Sequence, residues 1–289
     1  MIFRAFAMIA AASMLLAQAP PANQTIRAIR LKISAGDLPS AESLLERHKA
    51  EKGSDTEYIV GVSWLARGAA LTGDWPAAER YAKLTLELCG DPKDPDLIYA
   101  AGSALEVTAQ ALEAIGKKDD AVAYLDKQLQ ARSGWPLGFR SRLYKRRNQI
   151  GLVGQPAPPI EGLEPLGKPT VLFLWANYCG DCLAQAPALE LFWKNYSAKG
   201  VRMVAVTRIY EDDADADRKK TADVWKASYS GLSDVPVVFS TEAMLRYGAS
   251  STPTFVFIDA KGIVRAYLPY RLTADRLAAE ANRLATATN

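Results

Sequence analysis

The sequence has one histidine, His48, and three cysteines in a chain of 289 residues. With so little histidine, cysteine–histidine proteolysis and zinc sites built on imidazole lose their main ligand. His48 itself lies in the polar stretch LLERHKAEKG, where a solvated residue or a helix-end charge is expected and no catalytic role. Charge of one sign is also scarce. The formal net charge of +3 gives no electrostatic reason for a nucleic-acid partner, and none is expected. The apolar run AFAMIAAASMLLA near the N-terminus is too short for a comfortable membrane span. With Arg4 before it and the small residues of AQAPPA after it, residues 1–22 read as a bacterial export signal. That places the protein in the periplasm, with retention as an N-terminal anchor as the alternative.

Hydrophobic residues make up 49% of the chain, enough for sizeable cores, and the length suits about two domains. Residues 23–150 carry apolar residues at helical three- and four-residue spacing. GDLPSAESLLERH, GDWPAAERYAKLTLEL and GKKDDAVAYLDKQL begin at Gly36, Gly73 and Gly116, offsets of 37 and 43 residues. Each pairs a helix-ending glycine with a polar helix start. The spacing resembles tetratricopeptide-type hairpins, and an irregular helical bundle fits equally well. Either supplies a partner surface or a dimer contact. Cys89 closes one of these helices and reads as a small buried residue, or else as a third redox thiol. The basic cluster Arg140, Arg142, Lys145, Arg146 and Arg147 reads as a solvated helix end.

The pattern changes after Ile150. Residues 151–169 are rich in glycine and proline and form a linker and lead-in segment. From 170 to 289, apolar strands alternate with helices. TVLFLWA and VRMVAVTRIY are nearly unbroken apolar runs, as in central strands covered on both faces. TFVFIDAKGIVRAYLP is a hairpin turning at Asp-Ala-Lys-Gly. A parallel core with an antiparallel hairpin at one side makes an α/β sandwich.

Two of the three cysteines fall in WANYCGDCLAQAP, at Cys179 and Cys182. Such a pair can hold a metal, form an inert staple, or exchange disulfides. The stretch runs from a buried strand through a turn into a helix starting near Cys179. Unpaired N–H groups there lower a thiol pKa, and an i, i+3 partner is in reach. That placement argues against a mere staple. No second C-x-x-C or histidine cluster exists to complete zinc, so no metal is expected. Met203 and Met244 read as core, and the acidic run EDDADAD, Glu211 to Asp217, as a solvated loop. Pro187 is expected to kink the helix. Thr252-Pro253, just before a strand, suits a cis bond in a loop that offers its backbone to an extended peptide.

From about Gly154 to Leu284 the chain resembles the thioredoxin-like family, in particular TlpA/ResA-type exported thiol-disulfide oxidoreductases. GQPAPPI, FLWANYCGDCLAQAP and YGASSTPTFVFIDAKGIV carry the likeness. The resemblance implies Cys179 as attacking thiol, Cys182 as resolving thiol, and Thr252 with Pro253 as substrate-facing loop. Trp175, Tyr178, Gly180 and Asp181 would frame the site. Clients would be thiol- or disulfide-containing proteins, served by an electron donor or acceptor of the envelope. The Cys179–Cys182 couple would be the sole redox group. The chain departs from its relatives at three positions. Phe173 stands where thioredoxins bury an acid, Gln185 where a glutamate is common, and Asp181 where thioredoxin has proline. The proton acceptor for Cys182 is then water or an inward-facing Asp181. A carboxylate beside Cys179 disfavours its thiolate and biases the couple toward reduction of clients. Peroxiredoxins share the fold, but their threonine-and-proline cradle is replaced by Asn177-Tyr178, which ranks thiol peroxidase below disulfide exchange. A redox-inactive scaffold or chaperone-like binder working through the helical part is the non-enzymatic alternative.

Overall fold

The computed structural model describes residues 24–161, 163 and 167–286; the expected export signal lies outside them. Among the described residues no helix is long and apolar enough to cross a membrane.

Among the described residues seven helices come first: α1 (Gln24–Ser34), α2 (Leu38–Lys52), α3 (Thr56–Thr72), α4 (Trp75–Cys89), α5 (Pro95–Ala114), α6 (Lys118–Ala131) and α7 (Leu137–Gly151). Four of them start the same way. Asp37, Asp55, Asp74 and Asp94 each cap a helix by accepting a backbone N–H two or three residues on, at 2.8–3.2 Å. Such a cap contributes about 1 kcal/mol and ends any ambiguity over where the helix begins. α3, α4 and α5 pack closely because their contact faces are small: Ala66, Ala69, Ala78, Ala82 and Ala104 are all fully buried.

His48 departs from the solvated role expected of it. It is buried at 4% exposure, with Nε2 2.9 Å from Asp55 Oδ1 and Nδ1 3.1 Å from Thr25 Oγ1. It ties α1 and the end of α2 to the cap of α3, so its one ring joins three helices. Cys89 is buried among the helices, and burial pushes its thiol up to about 11. At neutral pH it stays protonated and inert.

The remainder is a five-stranded sheet with helices on both faces. β1 (Thr170–Leu174), β2 (Arg202–Thr207), β3 (Val237–Phe239), β4 (Thr254–Ile258) and β5 (Val264–Leu268) lie in the order β3-β2-β1-β4-β5. β1 pairs parallel with β2 and antiparallel with β4, which makes it the central strand. Alternate residues of β1 enter two cores: Val171 and Phe173 on one face, Leu172 and Leu174 on the other. Both faces being dry explains the unbroken apolar run. The helices are α8 (Gly180–Leu183), α9 (Ala186–Tyr196), α10 (Ala214–Ser228), α11 (Thr241–Arg246) and α12 (Ala274–Thr286). Pro187 does not kink one long helix. The chain breaks at Ala184-Gln185 and α9 begins afresh with Pro187 in its first turn, where no N–H is missed. The β4–β5 turn closes on Gly262, at φ +81°, around buried Asp259, which accepts from the N–H groups of Lys261 and Ile263 at 2.9 Å each.

The lead-in segment joins this sheet region. Gly154 N–H donates to the Val264 carbonyl at 2.8 Å and Val264 N–H to that of Gln155 at 2.9 Å, extending the β5 edge. The basic cluster of α7 is likewise not a solvated helix end. All five of its side chains are half-buried, and α7 packs against α11. Lys145 donates to Ser251 Oγ at 3.1 Å, and Asn148 Nδ2 to the Arg246 carbonyl at 2.9 Å. At the seam Gly248 has φ +63°, and a Cβ there would meet Lys145 N at 2.2 Å. Only glycine lets the two backbones come so close.

Candidate redox site

β1 delivers the chain to the site, and the turn after it is held from below. Asn177 is buried and its Nδ2 donates to Asp217 Oδ1 at 2.7 Å and Thr221 Oγ1 at 2.9 Å. Asp217 Oδ2 accepts the Tyr210 N–H at 2.7 Å. Asp217 belongs to the acidic run expected to be solvated, yet it is fully buried. Burial by itself would raise its carboxyl. The Tyr210 N–H, the Asn177 amide and nearby Lys220 outweigh that and hold it below the usual carboxylate range. A stretch of acidic residues carries no mark of which member turns inward, so this residue was hidden in the sequence.

Cys179 is half-buried and forms the N-cap of the one-turn helix α8. The Cys182 N–H donates to its Sγ at 3.1 Å. The two cysteines are disulfide-bonded, with Cα atoms 5.2 Å apart, and Cys182 is fully buried. Cys179 Sγ also lies 3.3 Å from the Thr252 carbonyl oxygen, where a thiol can donate in the reduced state. The Thr252–Pro253 peptide is cis. Thus the strand-to-helix turn and the distant Thr252-Pro253 loop meet at the reactive sulfur.

The framing residues divide into those at the surface and those beneath it. Tyr178 is 64% exposed and packs edge-on against Tyr210, with ring centroids 5.0 Å apart. Gly180 is exposed, with open space where a Cβ would stand. Trp175 was expected to face substrate, but it is fully buried between Trp225 and Tyr229 and belongs to the floor. Phe173 stacks on Phe255 in the same core, so an acid at that position would have no polar partner among these rings.

Two expected tuning residues behave differently from their sequence reading. Asp181 does not face inward: it is exposed, and its carboxylate is 3.7 Å from the Arg271 guanidinium. It is therefore no proton acceptor for Cys182, and Arg271 offsets its charge. Gln185 is buried and clasps the backbone of Leu272, donating to its carbonyl at 2.7 Å and accepting its N–H at 2.8 Å. A glutamate can make only half of that clasp, which accounts for the amide. Tyr229, unremarked in the sequence, donates to the Cys182 carbonyl at 2.6 Å from within the core. Its hydroxyl is raised by burial. Among the described residues no cluster of ligating side chains suited to a metal ion is present.

The fold and this centre define a thioredoxin-like oxidoreductase domain. Residues 164–270 match the Redoxin family model. The chain is 29% identical over 137 residues to the thiol-disulfide oxidoreductase ResA of Oceanobacillus iheyensis, covering 47% of this chain and 67% of that protein. It is 27% identical over 132 residues to the thiol:disulfide interchange protein DsbE of Xylella fastidiosa, covering 41% and 61%. The crystal structure of StoA from Bacillus subtilis aligns over 45% of this chain and 98% of that one, at 21% identity and a TM-score of 0.34. The chain thus spans 55–67% of the length of the curated relatives it matches, and the family-model match falls in the sheet region.

Proposed function

We propose that the protein is a disulfide reductase of the bacterial cell envelope that works by dithiol–disulfide exchange. The observation that carries this reading is the arrangement of three groups: half-buried Cys179, buried Cys182, and the Thr252 carbonyl 3.3 Å from Cys179 Sγ. In the reduced protein the Cys179 thiolate attacks one sulfur of a client disulfide. That client bond breaks, and the leaving thiolate takes up a proton. Cys182, once deprotonated to water, attacks Cys179 Sγ of the mixed disulfide and releases the client's second thiol. Two electrons pass to the client and the Cys179–Cys182 disulfide is left, to be reduced again by a thiol donor of the envelope. Thr252 and Pro253 line the path of the client backbone, and Tyr178 flanks it.

The direction follows from how little stabilises the thiolate. α8 is a single turn, so its dipole is weak. A couple whose thiolate gains little is a better electron donor. The cell-envelope location rests on the export-signal pattern of residues 1–22. The test is insulin reduction with dithiothreitol. Turnover lost in Cys179→Ser supports the reading, whereas an unreactive disulfide with no turnover leaves a scaffold or binding protein.

A further inference from the structure

The helical region forms one wall of the site, and that wall is cationic and aromatic. A cleft of about 410 Å³ lies between the two regions, bounded by Tyr99 and Arg142 from the helices and by Tyr178, Arg208 and Thr252 from the sheet region. Tyr178 precedes Cys179, and Thr252 carries the carbonyl that touches its sulfur, so the cleft opens beside the disulfide. No carboxylate is among the described residues that line it. Arg142 lies over the Tyr99 ring at 4.6 Å and Arg208 over the Tyr210 ring at 4.2 Å. Arg142 Nη2 pairs with Glu106 at 2.7 Å, but its Nη1 is buried with no hydrogen-bond partner among the described residues.

The same alternation of guanidinium and ring continues away from the cleft. Arg67 lies over both Tyr99 and Trp64, at 4.8 and 4.2 Å, and exposed Arg30 also lies over Trp64, at 4.7 Å. The ladder thus runs from α1 through α3 and α5 to α7 and ends at the disulfide. Stacking on a ring holds a guanidinium in place while leaving N–H edges for a carboxylate.

We propose that the cleft and this ladder dock an extended acidic segment of a client polypeptide and so bring its disulfide to Cys179. This rests on the disulfide-exchange reading above. The occupant is a polypeptide because the ladder spans several helices, whereas a small anionic disulfide would fill the cleft and leave Arg30 and Arg67 unused. Its acidity follows from Arg142 and Arg208 at a cleft whose described lining holds no carboxylate, with exposed Arg30 at the far end of the ladder.

The test compares two synthetic peptides of equal length, each closed by one internal disulfide, flanked by Asp and Glu in one and by Lys in the other. With the full chain and dithiothreitol at low ionic strength, kcat/KM is expected to favour the acidic peptide by about tenfold or more. Salt should erode that ratio. In the Arg30→Gln, Arg208→Gln double variant the ratio should fall to within about twofold. A variant that has merely lost structure lowers both rates together and leaves the ratio alone. A wild-type ratio near one, or a ratio unmoved in a variant that keeps its insulin turnover, overturns the proposal. So does glutathione disulfide being reduced as efficiently as the acidic peptide, which would assign the cleft to a small anion. Absence of turnover with both peptides and with insulin overturns the disulfide-exchange reading itself; turnover without charge preference overturns only the docking.

Discussion

The sheet region and the helical region contribute to the site in different currencies. In the sheet region the reactive sulfur is set by main chain: the Cys182 N–H, the Thr252 carbonyl, and the Leu272 backbone clasped by Gln185. The helical region reaches the cleft beside it mainly with side chains, among them those of Tyr99, Phe139 and Arg142. Backbone geometry survives most substitutions, so the chemistry is built to persist. A wall of side chains can be rewritten one residue at a time, so client choice is free to change without disturbing the sulfur. The seam at Gly248 holds the two regions against each other.

That contrast can be attacked in order of expected effect. Cys179→Ser removes the attacking sulfur and should abolish insulin reduction while leaving the thermal unfolding of the helical region in place, as read by circular dichroism. Gly248→Ala attacks the seam. Its Cβ would sit 2.2 Å from Lys145 N at a positive φ, so a loss of about 2–4 kcal/mol in urea unfolding is expected. If the seam joins the two regions, that variant should also split one unfolding transition into two.

Asp217→Asn tests the support under the Cys179 turn. Its folded carboxyl titrates below the ordinary value, so it contributes stability above about pH 4 that is lost as the pH falls further. The variant should lose roughly 1–3 kcal/mol at pH 7 and show a shallower decline in acid. An acid limb as steep as wild type would contradict the assignment. The smallest effect is expected at Cys89. With its thiol pushed up to about 11 inside the helical core, iodoacetamide at pH 8 should spare it in the folded, reduced protein and modify it only after unfolding. Cys89→Ala should leave turnover unchanged.

These two regions also differ in how much of them could be read from the amino acids. The strand order of apolar runs, the Asp-Ala-Lys-Gly hairpin and the strand-turn-helix around Cys179 are local patterns, and all are present in the structure. The helix starts at Asp37 and Asp74 were legible for the same reason, because a cap is decided within three residues, whereas Lys117 at the third start makes no side-chain cap. What was hidden depends on contacts between distant segments. Nothing near His48 says that Thr25 and Asp55 will flank it, and nothing in EDDADAD says that its last residue turns inward to Asn177. The basic cluster on α7 looked like a solvated end because its partners, Ser251 and the Arg246 backbone, lie about a hundred residues away. Trp175 was placed on the wrong side, and the orientation of Asp181 was left open, for a related reason: position in a motif does not fix which way a side chain points.

The central claim is that Cys179 and Cys182 form a couple poised to give electrons to clients. Its most direct test is the equilibrium reduction potential of that couple in the full chain, titrated against defined dithiothreitol and glutathione buffers. The account predicts a value on the reducing side, near the roughly −270 mV of thioredoxin. A value close to the roughly −120 mV of a strong thiol oxidant such as DsbA would contradict it.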